Sequence, residues 1–243
     1  MGTRILQKGA VMQEIESIRK VLEKINNQGA FLFDMDGLIF DSERCFMEQL
    51  SVVMGEQGYQ LTREIYCDTL GLSGDTLRER MQGYYGAGYP FREISRTARE
   101  RVNHIAESVG LSVKPEITAV LEVLKKKKSP CAVASGTRSD YACKYLEIAG
   151  LSGYFQAVVG GEQVSRSKPA PDIFLLAAEK LSVSPKDCVV LEDSENGVRA
   201  GRAAGCMTVC VPDLKLPRRE VYGDIDYMVR RFSVSLGQSG QTE

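Results

Sequence analysis

Asp34 and Asp36 stand one residue apart at the end of an apolar run, Ala30-Phe31-Leu32-Phe33, and Gly37 follows them. If the run is a strand, its side chains alternate between faces, so both carboxylates project to one side and Met35 to the other. Two such carboxylates repel each other unless a proton or a cation relieves them. An oxygen-only donor set suits Mg2+. Taken alone, the pair reads equally as a solvated loop or a helix cap. A second acidic pair changes that balance. Glu192-Asp193 closes the run Cys188-Val189-Val190-Leu191 and precedes Ser194-Glu195-Asn196-Gly197, where a helix is expected to start. Strand ends of a parallel sheet share one edge, so the two pairs can converge there. Four buried carboxylates are costly unless a metal and other cations neutralise them. Two independent helix N-caps would explain Asp193 but not the paired pattern.

Two further segments offer what an anion needs. Ser135-Gly136-Thr137 ends the run Cys131-Ala132-Val133-Ala134 just ahead of an expected helix. It presents hydroxyls and backbone N–H groups beside the positive end of a helix dipole. Lys168 lies in Ser167-Lys168-Pro169-Ala170-Pro171-Asp172, where Pro171 suits the first turn of a helix. Singly, the first is an ordinary turn and the second a solvent-facing lysine. Their weight comes from their companions.

These residues need a scaffold that gathers distant strand ends. Short apolar runs at 30–34, 131–135, 157–160, 188–192 and 207–211 fit buried parallel strands. Helical patterns intervene at 115–128, 140–150, 171–181 and 194–205; the first carries Ile117, Val120, Leu121 and Leu124 on one stripe. Such alternation implies an α/β fold, a doubly wound parallel sheet with helices on both faces. We assign this core to residues 29–42 and 111–235. Between the first two strands the rhythm breaks. Segments 42–58, 75–85 and 91–110 read as helices, the last with Ile94, Ala98, Val102, Ile105 and Val109 at spacings of three and four. This inserted helical cap domain, 43–110, would lie over the carboxyl edge of the sheet as a lid. Residues 1–28 carry an amphipathic leader helix, with Val11, Ile15, Ile18, Leu22 and Ile25 on its stripe. Residues 222–232 suggest a last strand and short helix, and 236–243 form a polar tail.

Bulk properties exclude several classes. Among 243 residues, 31 basic and 32 acidic side chains leave a net charge of −1, so no broad basic field exists to hold nucleic acid or an anionic membrane. The seven cysteines are an odd set without a CxxC pair, which argues against a disulfide framework or zinc site. No run is long and apolar enough to span a membrane, and the start lacks a signal-peptide pattern. Gly2 is followed by Leu6 where a myristoylation motif needs Ser or Thr. The expectation is a cytoplasmic monomer, with a dimer through the leader helix as the alternative.

In order along the chain, DMDG, SGT, the lysine of SKPAPD, and EDSENG resemble the four motifs of the haloacid dehalogenase-like hydrolase superfamily. The resemblance covers about residues 30–212, and the inserted helices resemble that family's helical cap. The nearest branch holds β-phosphoglucomutase-like proteins and sugar-phosphate phosphatases. It implies a Rossmann-like core and an Mg2+-dependent phosphoryl transfer on a small phosphorylated metabolite. Asp34 would be the nucleophile that forms an aspartyl-phosphate. Asp36 would be the acid/base that protonates the leaving alcohol and later activates water. Ser135 would hydrogen-bond the phosphoryl oxygens, assisted by the Gly136 and Thr137 backbone, and Lys168 would neutralise charge between nucleophile and phosphate. Mg2+ would be held by Asp34, the Asp36 carbonyl and Asp193, with Glu192 acting through bound water. Dehalogenase members do not need this second aspartate or a metal, so Asp36 with Asp193 points to phosphorus.

Within the branch, the mutase typically carries a cap-hinge histidine ten residues after the acid/base; here that position is Phe46. Its cap also carries an arginine in a G-x-S-R segment, where this chain reads Gly71-Leu72-Ser73-Gly74, with Arg78 and Arg80 nearby as substitutes. Both departures favour a phosphatase over a mutase. A protein that only binds a phosphometabolite is the third reading, opposed by the filled catalytic positions. His104, the sole histidine, falls on a cap helix. Substrate specificity is expected in the cap at 71–92, around Gly83-Tyr84-Tyr85-Gly86-Ala87-Gly88-Tyr89-Pro90.

Overall fold

The computed structural model describes residues 6–8, 11–13, 18–25, 29–72 and 74–229. At the N-terminal end, β1 (Leu6–Lys8) and β2 (Val11–Gln13) pair antiparallel, with Lys8 opposite Val11. Helix α1 (Ile18–Lys24) follows. The leader helix read from Val11 onward therefore starts later than its periodicity suggested. Backbone committed to a ladder cannot also join a helix, and Val11 is so committed. Of the stripe, Leu22 and Ile25 are buried in the core and Ile18 packs against it half-buried, and Val21 beside them is buried too. Ile15 lies outside the described residues.

Strands β3 (Ala30–Phe33), β4 (Cys131–Ala134), β5 (Ala157–Val159), β6 (Cys188–Glu192), β7 (Met207–Cys210) and β8 (Tyr227–Met228) form one sheet in the order β5-β4-β3-β6-β7-β8, every neighbour parallel. The chain starts in the middle, steps outward through β4 and β5, then returns to the other side of β3. The order thus reverses between β3 and β6, and open α/β sheets bind ligands in the crevice beyond such a reversal. Register keeps the two strand ends level. Phe33 lies opposite Leu191, and the Asp34 N–H donates to the Leu191 carbonyl at 3.0 Å.

Period-two alternation sorts the strand side chains between two layers. Phe31 and Phe33 pack with Ile117 and Leu121 of α6 (Pro115–Lys126) and Leu146 of α7 (Ser139–Ile148). Ala30 and Leu32 pack with Phe174 and Ala177 of α8 (Asp172–Lys180) and Ala200 of α9 (Glu195–Ala203). Full burial of a Phe or Leu contributes about 1.5–3 kcal/mol, which is why strands buried on both faces read as unbroken apolar runs.

Between β3 and β4 lie α2 (Ser42–Glu56), α3 (Arg63–Thr69), α4 (Gly74–Tyr85) and α5 (Phe91–Ser108), and no strand among the described residues of that span. Leu50, Val53, Met54, Met81, Ile94 and Ala98 give them an apolar core of their own. Helix α3 was not foreseen. It spans only seven residues, too few to show a stripe, yet its start is marked: Thr62 accepts from the Ile65 N–H at 3.3 Å. The chain enters and leaves this helical unit side by side. The Asp41 N–H donates to the Ser112 carbonyl and the Lys114 N–H to the Ile39 carbonyl, each at 2.9 Å, around a Phe40–Val113 bridge. At the C-terminal end, a 3-10 turn (Arg219–Asp224) precedes β8 within the segment read as a last strand and short helix, and the remainder of that segment from 230 and the polar tail at 236–243 lie outside the described residues. All seven cysteines are free. Among the described residues, no helix is long and apolar enough to cross a membrane.

Candidate active site

Asp34 leaves β3 at the sheet edge and is 7% exposed. The following residues turn sharply, with the Ile39 and Phe40 N–H groups donating to the Met35 carbonyl at 2.9 and 3.1 Å. Met35 is buried on the opposite side, as alternation requires. Gly37 takes a φ of 79°, in the left-handed region, and a Cβ there would run into the Asp193 carboxylate. Both constraints call for glycine.

Glu192 ends β6 and is 1% exposed. One of its oxygens accepts from the Ser194 N–H at 3.0 Å and the Ser194 hydroxyl at 2.9 Å, while that hydroxyl accepts from Gly197 N–H at 3.0 Å to cap α9. The other oxygen lies 2.6 Å from Lys168 Nζ. Lys168 also donates to Asp34 at 2.5 Å and to the Ala134 carbonyl at 3.0 Å. One ammonium therefore bridges the two strand ends that flank the switch.

Asp34, Glu192 and Asp193 each offer an oxygen to a group whose members lie within 4.8 Å of one another. Electrostatics makes this arrangement demand more positive charge than Lys168 supplies. Burial, then the neighbouring Glu192 and Asp36, raises the Asp34 carboxyl well above its usual range against the pull of Lys168. Asp193 is raised too, by burial and by the surrounding Glu192, Asp34, Glu43 and Asp213. For Lys168, burial pulls the pKa down, but Asp34 and Glu192 outweigh it and hold the lysine charged. Three oxygen donors, with Glu192 already shared between Lys168 and Ser194, fit a hard divalent cation, for which Asp34 and Asp193 have the freer oxygens.

The Asp36 carboxylate stands apart from this group. Its Oδ2 accepts from the Ser135 hydroxyl at 3.0 Å and the Thr137 hydroxyl at 2.8 Å. Ser135 in turn accepts from the Thr137 N–H at 3.0 Å. Ser135 and Thr137 thus orient Asp36, a relation no spacing rule reveals. Gly136 lines the cavity above them. The structure brings all eight sequence-identified residues, Asp34, Asp36, Ser135, Gly136, Thr137, Lys168, Glu192 and Asp193, to one edge of the sheet.

Above this floor lies a cavity of about 490 Å³, roofed by the helices inserted after β3. Phe46, Tyr66, Leu72, Leu77, Arg99 and Asn103 contribute to its upper wall. Among the described residues of the segment expected to govern specificity, only Gly71, Leu72 and Leu77 line it. The tyrosines at 85 and 89 instead stack on each other and meet Tyr59 edge to face, and Tyr89 is buried in the helical unit. Arg78 pairs with Asp75 at 3.0 Å and Arg80 with Asp68 at 2.6 Å, and neither lines the cavity. Arg99 does, its guanidinium 5.2 Å from the Phe46 ring. Glu43 also lines it, hydrogen-bonded by the Tyr66 hydroxyl at 2.8 Å. His104 is exposed on α5. Arg99 and Glu43 escaped sequence reading because each sits on a helix whose stripe explains its neighbours and says nothing of a polar residue facing inward.

Residues 31–211 match the family model of haloacid dehalogenase-like hydrolases. The chain belongs to that family. Among its relatives, the fructose-1-phosphate phosphatase YqaB of Escherichia coli (strain K12) is 34% identical over 182 residues, covering 74% of this chain and 94% of the relative. A phosphorylated carbohydrates phosphatase of Thermotoga maritima is 32% identical over 179 residues, covering 72% and 81%. CbbY from Rhodobacter sphaeroides, in complex with phosphate, superposes with a TM-score of 0.66 at 27% identity, over 83% of this chain and 93% of that one. This hydrolase is accordingly a phosphatase, a phosphoric monoester hydrolase. The resemblance drawn from the four motifs holds, and so does the doubly wound Rossmann-like core.

Proposed function

We propose that this hydrolase is an Mg2+-dependent phosphatase that cleaves a phosphorylated sugar or similar small metabolite through an aspartyl-phosphate on Asp34. The observation that carries the reading is the group of Asp34 and Glu192, both buried, and half-buried Asp193, within 4.8 Å of one another, where Lys168 pairs with the first two and leaves negative charge for a cation to offset. Relatives named for fructose 1-phosphate and phosphorylated carbohydrates support the substrate class. When bound, Mg2+ would draw negative charge from the transferring phosphoryl group. Asp34 and Asp193 would hold it, with Glu192 behind them.

An Asp34 oxygen attacks phosphorus, a P–O bond to Asp34 forms, and the ester P–O bond breaks. Asp36, fixed by Ser135 and Thr137, gives its proton to the departing alkoxide. In the second half Asp36 takes a proton from water, whose oxygen attacks phosphorus. The Asp34–phosphorus bond breaks, and inorganic phosphate leaves. Lys168 neutralises Asp34 and holds it aligned throughout.

Phosphate release across a panel of sugar, polyol and nucleotide monophosphates, with and without Mg2+, tests this. Release should require the metal and fall at least about a thousandfold in Asp34→Asn, since the covalent route is lost. Activity retained in that variant would overturn the covalent mechanism. The mutase reading draws on one observation, the guanidinium of Arg99 in the cavity roof, where it could grip a second anionic group. Faster conversion of β-glucose 1-phosphate to glucose 6-phosphate than to free phosphate would decide for it.

A further inference from the structure

Three consecutive residues beyond β7 each reach a different part of the lid machinery. Asp213, 3% exposed, meets Lys114 Nζ at 2.5 Å, an ion-pair contact rather than an aligned hydrogen bond, and Lys114 Nζ lies 3.5 Å from Asp41. Asp41 and Lys114 belong to the two segments through which the chain enters and leaves the helical unit. Leu214, 8% exposed, packs into the apolar cluster of that unit, beside Leu50, Tyr66 and Ile94. Lys215 donates to the Leu70 carbonyl at 2.6 Å and the Cys67 carbonyl at 3.4 Å. These carbonyls lie at the C-terminal end of α3, where backbone acceptors lack helical partners and the dipole favours a cation. Leu70 and the next two residues, Gly71 and Leu72, line the substrate cavity. Gly71 takes a φ of 83°, so the chain turns there out of α3 and over the site.

We propose that Lys215 is a positioning residue for this phosphatase: by tethering the end of α3 to the sheet it sets the height of the Leu70–Leu72 roof above Asp193 and Ser194. The inference rests on the phosphatase reading for its kinetic consequences, but its structural content does not. The tether spans a narrow cleft of about 100 Å³ lined by Leu70, Gly71, Asp193, Ser194 and Lys215. Asp213 fixes the loop to the hinge, Leu214 seats it in the apolar cluster, and Lys215 supplies the directional contact. A roof held from this side contacts the non-phosphate half of a substrate, while the phosphate half rests on the floor.

Lys215→Met keeps the stem and removes the donors; Lys215→Arg restores donors. Hydrogen exchange needs no substrate. In Lys215→Met, amides at 63–72 should exchange about tenfold faster, the scale of one charged hydrogen bond, while α5 amides stay unchanged and report an intact fold. Kinetically, KM for the preferred sugar phosphate should rise severalfold with kcat nearly preserved, and acetyl phosphate, which cannot reach the roof, should lose less. Lys215→Arg should recover most of both effects. Unchanged exchange at 63–72 overturns the proposal, as does an equal loss on both substrates. Should Lys215→Met fail to fold, Lys215→Leu takes its place in the same comparison. A wild type that releases phosphate from neither substrate would defeat the phosphatase reading, and the exchange measurement would still decide the tether.

Discussion

Glu43 illustrates how a single residue here is set against its surroundings. Its carboxylate lines the substrate cavity, accepts from the Tyr66 hydroxyl at 2.8 Å, and lies near Asp36 and Asp213. Burial raises its pKa, and the nearby carboxylates add to the rise. A carboxyl held above its unfolded value costs stability once it is ionised in both states. That cost is full above the folded pKa and vanishes below the unfolded one. Glu43→Gln keeps an acceptor for Tyr66 and removes the charge. It should therefore melt above wild type at pH 7–8, with the gap closing as pH falls below the ordinary glutamate value of about 4.3. Thermal melts across that range check this, and a variant less stable than wild type at neutral pH would refute the assignment. A residue that lowers stability while facing the cavity is one that function would retain. Nothing in the sequence marks Glu43, because Ser42-Glu43 reads simply as a helix start.

The turns after β3 and β6 show the next scale, where an element is shaped by a side chain from beyond it. Gly197 lies in the first turn of α9, and a Cβ there would occupy the space of the Glu192 carboxylate. On helix propensity alone, Gly197→Ala should stabilise by about 1 kcal/mol. The clash opposes this, and Glu192 cannot withdraw easily because Lys168 and Ser194 hold both its oxygens. We expect a net loss of about 1–3 kcal/mol, as for other overpacked sites, together with a large fall in kcat as Lys168 shifts. Denaturant titration gives the sign directly, and a gain in stability would mean that Glu192 lies elsewhere. The glycine is legible in EDSENG as a helix-start residue, but its reason is tertiary. The same division runs through the elements. Strands buried on both faces announce themselves as apolar runs, and α5 announces itself by its stripe. By contrast α3, with seven residues, and β2, whose partner is another short segment, lack enough length for a period to show.

At the scale of the whole molecule, the reversal of strand order and the insertion after β3 create the site between them. The floor was readable because four segments end at one sheet edge by topology alone; the roof was not, because Arg99 and Asn103 of α5 meet Tyr66 of α3 only once those two helices pack. That floor makes a prediction independent of turnover. Asp193 is pressed against the Gly37 turn, and the forces on it, burial and neighbouring carboxylates, all disfavour its charge. Lys168 serves Asp34 and Glu192 instead. In EDTA, Asp193→Asn should thus melt above wild type, since an uncompensated buried charge is removed. Millimolar Mg2+ should raise the wild-type melting temperature, because a ligand that binds only the folded state stabilises by RT ln(1 + [L]/Kd), about 2.7 kcal/mol at a hundredfold excess over Kd. The variant, short of one donor, should gain little. The order of the two proteins would then invert between EDTA and Mg2+. Equal Mg2+ shifts in both would remove Asp193 from the metal site, whereas an inversion would show that the carboxylates destabilising the fold are those that bind its cation.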